Sequence, residues 1–109
     1  MVGYNSFDWT AFENILNDSA SRNMHVVCRF YIHYPGNPMQ LPAHLVGVVP
    51  MIDTEEEPTP DYNANAMVEA YSQFISALGA RYDGDKRIGF IQAGLLGFWG
   101  KLRCCVALR

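Results

Sequence analysis

Two apolar runs of strand length flank one long helical pattern, and this arrangement restricts the folds open to the chain. The first run, VVCRFYIH, covers residues 26–33, and the second, IGFIQAGLL, covers residues 88–96. The first is rich in β-branched and aromatic residues, and the second is nearly unbroken in its apolarity, as in a parallel strand buried on both faces. Between them, apolar residues recur at helical spacing over residues 64–82. A strand, a crossover helix and a second strand predict a right-handed βαβ unit with parallel strands.

Two further segments complete the predicted order of helix, strand, long loop, helix and strand, which is an α/β pattern. Residues 9–22 carry apolar positions at helical spacing, with Ser6 or Asp8 as the cap. Residues 34–61 hold all 6 prolines and are predicted to be a long loop, in which the apolar residues 45–52 form a short strand or a plug over a core. Loops of this length usually bind something.

Local signals refine the long loop and the second helix. The run Glu55–Glu57 is predicted to be a solvated turn, because neighbouring carboxylates on an extended chain point apart. Asn63 or Asn65 is expected to cap the second helix, and Gly84 to end it. Gly79 within that helix indicates close packing against a neighbour, since glycine costs about 1 kcal/mol there relative to alanine.

Alternation along the first strand predicts two different faces. Its even-numbered residues are all apolar, whereas its odd-numbered residues become polar through Arg29, Tyr31 and His33. One face should therefore lie on helices and the other in a lined interior. The carboxyl ends of parallel strands share one edge, which carries the ligand site in α/β folds. The residues expected to converge at that edge are Arg29, Tyr31, His33, Tyr34, Gln92, Phe98 and Trp99.

Composition argues against several classes of function. The net charge is -3 and the 8 Lys and Arg residues are mostly scattered, so nucleic acid is not an expected partner. Neither a signal peptide nor a membrane anchor is expected, because no apolar run approaches the roughly 20 residues of a spanning helix. Cys28, Cys104 and Cys105 form no disulfide framework and slightly favour a cytoplasmic location. No cofactor and no metal site are indicated.

Two strands this apolar also need neighbours, because an unpaired hydrophobic strand edge invites association. We therefore expect a section of a larger sheet or barrel. The segments FDW, YPG and above all ALGARYDGDKRIGFIQAGLLGFWG resemble the barrel section of β-galactosidase-like glycoside hydrolases, and more closely a largely uncharacterised branch of (β/α)8 proteins. The resemblance covers residues 7–100. It implies a partial TIM-barrel segment at residues 1–100, followed by a tail at residues 101–109 that does not match the family.

The resemblance also bears on catalysis. In the family, the Gly-Phe-Trp-Gly turn is typically followed by a glutamate at the position where related glycosidases hold their acid/base carboxylate, and here Lys101 occupies that position. Glycoside hydrolysis requires two carboxylates, and the family takes its second from a later strand that this sequence does not contain. The resemblance thus implies a parent that binds or cleaves carbohydrate, and a chain that is itself inactive.

Each candidate residue has an alternative role. Arg29 either hydrogen-bonds a substrate or forms a buried ion pair, Tyr31 and His33 either contact a substrate or pack, and Trp99 either stacks on a sugar or anchors its turn. Gln92 is the remaining candidate for substrate binding.

Three functional hypotheses follow. The chain is an inactive barrel segment, a non-enzymatic carbohydrate-binding or protein-interaction fragment, or an unrelated small α/β domain that binds a small molecule. The second hypothesis requires the piece to fold by itself. As for partners, self-association is expected to replace the missing barrel strands.

Overall fold

The computed structural model describes residues 1–55 and 57–95 as a mixed α/β structure. Leu96, Phe98, Trp99 and the predicted tail at residues 101–109 lie outside the described residues. The helices and strands, in chain order, are α1 (Thr10–Ser21), β1 (Val26–Arg29), β2 (Met51–Ile52), β3 (Thr59–Pro60), α2 (Asn65–Tyr82) and β4 (Ile88–Gln92).

The β1 and β4 strands pair in parallel, which confirms the predicted order of strand, crossover helix and strand. Val27 lies opposite Phe90, and Arg29 lies opposite Gln92. The register shifts between Val26 and Val27, so the ladder begins with an irregularity. The last residues of both strands consequently lie side by side at the carboxyl edge of the sheet.

Both strands are shorter than predicted. β1 ends at Arg29 rather than His33, because the chain leaves the sheet there and the Ile32 carbonyl accepts a hydrogen bond from the Gln40 amide at 2.8 Å. β4 ends at Gln92. The expectation that the second strand is buried on both faces is wrong for the described residues, since Phe90 is 74% exposed. Within residues 1–55 and 57–95, the sheet holds two strands and nothing covers Phe90.

The two helices end as local chemistry requires. Asn23 adopts a left-handed conformation with φ of 57°, and the amides of Asn23 and Met24 donate to the Ala20 and Ser19 carbonyls. This is a Schellman motif, and asparagine tolerates the required φ. Gly84, with φ of 74°, follows α2 in the predicted place.

The two helices begin differently. At the start of α1, the Asp8 carboxylate accepts a hydrogen bond from the Thr10 amide at 2.9 Å, whereas α2 begins without a side-chain cap.

The long loop is partly ordered into short elements. Leu45 and Val49 are buried and pack against Met67 and Ala70 of α2, so the apolar residues of the loop do form a plug. Directly after this plug, β2 pairs with β3 as an antiparallel hairpin. The loop therefore closes over the start of α2.

A cluster of aromatic rings joins the segment before α1, α1 itself, the end of β1 and α2. The Phe30 ring lies 5.3 Å from Phe12 and 5.1 Å from Phe74, centroid to centroid. Trp9 stacks on Phe74 at 5.9 Å and meets the edge of Tyr82 at 5.4 Å. Phe30 directly follows Arg29, so this cluster fixes the direction in which the chain leaves β1.

An ionic cluster ties α1 to the start of β4, at the edge opposite the carboxyl ends of the strands. The Glu13 carboxylate accepts hydrogen bonds from the Tyr82 hydroxyl at 2.8 Å and from Arg87 at 3.0 Å. Arg87 also donates to both carboxylate oxygens of Asp85 and, at 2.7 Å, to Asn17. The hydrogen bond from Tyr82, followed by that from Arg87, lowers the pKa of Glu13, and the hydrogen bonds from Arg87 lower the pKa of Asp85 to about 2.

Candidate functional site

Two of the predicted site residues meet at the carboxyl edge of the parallel strands. The Arg29 Nε donates a hydrogen bond to Gln92 Oε1 at 3.0 Å, and both side chains belong to exposed residues. Their pairing follows from the register, because residues opposite each other in parallel strands point to the same face. A guanidinium carries five N–H donors and a primary amide carries two, so both groups can hydrogen-bond hydroxyl oxygens.

Gly94 provides the space in which the Arg29 side chain lies. A Cβ at Gly94 would overlap the Arg29 stem, lying 2.8 Å from its Cδ, and would lie 3.0 Å from the Phe30 carbonyl oxygen. Only glycine therefore allows Arg29 to take this path to Gln92.

The structure places His33 beneath the loop rather than in a strand. Its side chain is only 2% exposed, and its Nε2 lies 3.3 Å from Glu57 Oε1. The burial of the imidazole favours the packing role of His33 over direct contact with a ligand.

Glu57 was missed by the sequence analysis, which treated it as part of a solvated turn. Its side chain is 33% exposed, and its Oε1 also accepts the Gly36 amide at 3.1 Å. A signal was present in the spacing of Thr54 and Glu57, which resembles a Thr-x-x-Glu capping pattern. The Thr54 hydroxyl does accept the Glu57 amide, at 3.3 Å, and donates to the Glu57 carbonyl at 2.8 Å.

Tyr31 and Tyr34 form an exposed aromatic pair just after β1. Their ring centroids lie 5.9 Å apart with an interplanar angle of 53°, and each residue keeps nearly half of its surface exposed. His33 lies between them in sequence and turns inward. The two tyrosines thus lie, in sequence, on either side of His33, whose ring contacts Glu57.

An apolar groove with a volume of about 1140 Å³ separates α2 from β4, and we name it the α2–β4 groove. Its lining includes Phe74, Leu78 and Gly79 of α2 and Ile91 of β4. A Cβ at Gly79 would meet no atom of residues 1–55 and 57–95 within 4 Å, so the prediction that Gly79 packs closely against a neighbour is wrong for the described part of the chain. The helix stands away from the strand at this position, and Gly79 widens the space.

The displaced pKa values belong to side chains that hydrogen bonds or burial hold in the fold. Among the described residues, three carboxyl groups have a displaced pKa, those of Asp8, Glu13 and Asp85, and hydrogen bonds lower it in each. A general acid for glycoside hydrolysis needs a raised carboxyl pKa. Burial raises the pKa of Tyr71, whose hydroxyl donates to the Leu95 carbonyl at 3.3 Å and stays protonated at neutral pH.

The remaining predicted site residues, Trp99 and Lys101, lie outside the described residues. In the described part of the chain, no group of three or more His, Cys, Asp or Glu side chains could hold a metal ion. No helix found there is both long and apolar enough to cross a membrane. Comparisons with protein-family models, with curated proteins and with solved structures find no match.

Proposed function

We propose that the chain is a carbohydrate-binding segment of a glycoside-hydrolase-like (β/α)8 barrel, with its ligand at the carboxyl edge of β1 and β4. The observation that carries the proposal is the exposed Tyr31 and Tyr34 pair next to the end of β1, whose last residue donates to Gln92. Aromatic faces suit the apolar C–H face of a pyranose, and guanidinium and amide groups suit its hydroxyls.

The barrel part of the proposal rests on the resemblance and on the sheet. Parallel strands joined by a crossover helix are the repeating unit of such barrels, and their sites lie at the carboxyl edge. Val27 and Phe90, which face the same side as Arg29 and Gln92, would line the interior of the completed barrel. This assignment accounts for the exposure of Phe90 in the two-stranded sheet.

The proposed role is binding without hydrolysis. Lys101 occupies the position at which the resemblance places the acid/base carboxylate, and it cannot donate a proton as a carboxylic acid does. Release of nitrophenol from a panel of nitrophenyl glycosides should therefore equal that of buffer alone. Turnover that disappears in a Lys101→Ala variant would contradict the binding-only role.

Binding is tested by titrating the labelled chain with methyl glycosides and recording amide chemical shifts. Tyr34→Ala should weaken binding by about 2- to 10-fold, since an aromatic contact contributes about 0.5–1.5 kcal/mol. Tyr4→Ala is the matched control, because Tyr4 is also exposed but bonds Glu69 on α2. Shifts that are absent around residues 29–34, or equal losses in the two variants, would overturn the proposal.

We also propose that a second copy of the chain covers the bare sheet, which the exposure of Phe90 favours. Phe90 offers on the order of 150 Å² of apolar surface, and Val27 opposite it is 58% exposed. A stable dimer buries about 800 Å² per partner, so the second copy must also cover the free edge of β4. Such a contact supplies the strand neighbours that an apolar parallel pair requires.

Sedimentation of the chain over a range of concentrations tests this association. We expect a dimer that Phe90→Glu converts to a monomer, while Val48→Glu, at an equally apolar residue in the long loop that is 62% exposed, leaves it intact. A wild-type chain that stays monomeric at every concentration would refute the association.

A further inference from the structure

Glu57 is held in place by two different segments of the chain. Its Oε1 lies 3.3 Å from the buried His33 Nε2 and accepts the Gly36 amide at 3.1 Å. The Thr54 hydroxyl fixes the Glu57 backbone from the other side. A glutamate on an exposed loop ordinarily samples many rotamers, whereas this one is anchored at one oxygen.

The anchoring leaves the second carboxylate oxygen available. Among residues 1–55 and 57–95, the Glu57 carboxylate makes its two polar contacts, the hydrogen bond from the Gly36 amide and the contact with His33, at Oε1, and the side chain is 33% exposed. A carboxylate has about four acceptor positions, so Oε2 can still accept from a ligand. A carboxylate oxygen accepts hydrogen bonds from hydroxyl groups, and it repels ligand groups that are themselves only acceptors.

The position of Glu57 relative to the aromatic pair follows from the chain. Gly36, whose amide Glu57 binds, belongs to the turn that the Asn37 amide closes on the Tyr34 carbonyl at 3.0 Å. His33, which contacts the same oxygen, lies between Tyr31 and Tyr34 in sequence. Glu57 is therefore bound, at Gly36, to the same short segment that carries the aromatic pair, two residues from Tyr34 in sequence.

We propose that Glu57 is the specificity-determining residue of this site, accepting a hydrogen bond from a ring hydroxyl of the bound sugar while His33 positions its carboxylate. This inference rests on the proposed carbohydrate function. The ligand class is a neutral pyranoside with a free hydroxyl beside its apolar face. Anionic sugars should be excluded, because their carboxylate would face that of Glu57.

Titrations with methyl β-glucopyranoside and methyl β-galactopyranoside, and with their single-position deoxy analogues, test the role. Glu57→Gln keeps the shape but places an amide donor where the acceptor was, so affinity for the better of the two glycosides should fall by about 10-fold. Glu55→Gln removes the same charge from an exposed residue of the same turn and should leave affinity unchanged. One deoxy analogue should bind wild type and Glu57→Gln equally, since the hydroxyl that Glu57 accepts is then absent.

The outcomes separate this inference from the proposed function. If Tyr34→Ala weakens binding while Glu57→Gln does not, the site binds sugar without Glu57 and the inference is overturned. If Glu57→Gln weakens every deoxy analogue alike, Glu57 is only structural, which also overturns it. Should Glu57→Gln fail to fold, Glu57→Asp keeps the charge with a shorter reach and should show the same selective loss. A wild-type chain that binds neither glycoside overturns both proposals.

Discussion

Truncation of Leu16 tests whether α1 packs into the fold as described. Leu16 is completely buried, whereas its neighbour Ile15 on the same helix is 55% exposed. Replacement of either residue by alanine removes the same number of carbon atoms, so the two variants differ mainly in burial and, to a smaller extent, in helix propensity. The pair thus isolates the contribution of packing from that of side-chain size.

The expected magnitudes follow from the two exposures. Loss of the Leu16 carbons costs about 2.4 kcal/mol at roughly 0.8 kcal/mol per buried carbon, and the cavity left behind raises this to about 3–4 kcal/mol. Ile15→Ala forfeits about half of that transfer free energy and leaves no cavity. Alanine also regains a few tenths of a kcal/mol through its higher helix propensity, so the net cost stays below about 1 kcal/mol.

Urea denaturation followed by circular dichroism measures both values. With a slope of about 1.5 kcal/mol per molar urea, Leu16→Ala should lower the midpoint by about 2 M and Ile15→Ala by less than about 0.7 M. Equal shifts in the two midpoints would refute the packing of α1. A wild-type chain without a cooperative transition would refute an independently folded α/β unit.

Two glycines and one ionic cluster give further predictions. Gly79→Ala should raise the free energy of unfolding by about 0.5–1 kcal/mol, because alanine stabilises a helix relative to glycine and its methyl group would meet no atom of the described residues. A lower free energy of unfolding would show that the α2–β4 groove is closed in solution. Gly94→Ala should lower the free energy of unfolding by about 1–3 kcal/mol and displace the Arg29 side chain. The displacement should change the NMR resonances of Arg29 Nε and of the Gln92 side-chain amide. Unchanged resonances would contradict the contact between Gly94 and Arg29. The pKa values of Glu13 and Asp85 are lowered in the fold, so their contribution is complete above about pH 4.5 and is lost as the pH falls toward 2. Glu13→Gln should flatten the fall in Tm across that range, and an unchanged acid profile would contradict the role assigned to the cluster.

Local patterns in the sequence predicted the helices and the strand order well. The helix pattern at residues 64–82 ends at Tyr82 in the structure, and Gly84 follows it with the expected positive φ. Each of these features depends on residues a few positions apart, which a single sequence displays directly. The parallel pairing followed from connectivity, because a crossover helix leaves few alternatives.

Long-range packing explains what the sequence analysis did not predict. β1 stops at Arg29 because Phe30 turns into the rings of Phe12 and Phe74, which come from two other elements. Glu57 finds its partner at His33, and no local pattern connects residues so far apart. The open space at Gly79 likewise depends on how far α2 stands from β4, which helix propensity does not specify.

The parallel strand pair has a consequence for the order of folding. Cys28 and Phe90, which meet across the sheet, are 62 residues apart in sequence, whereas the β2–β3 hairpin is closed by a short turn. Closure of the larger loop carries the greater entropy cost, so β4 should join β1 only after the hairpin and α2 have formed. During synthesis, residues 88–92 must emerge before β1 gains its neighbour, and until then the apolar edge of β1 is available to other nascent chains.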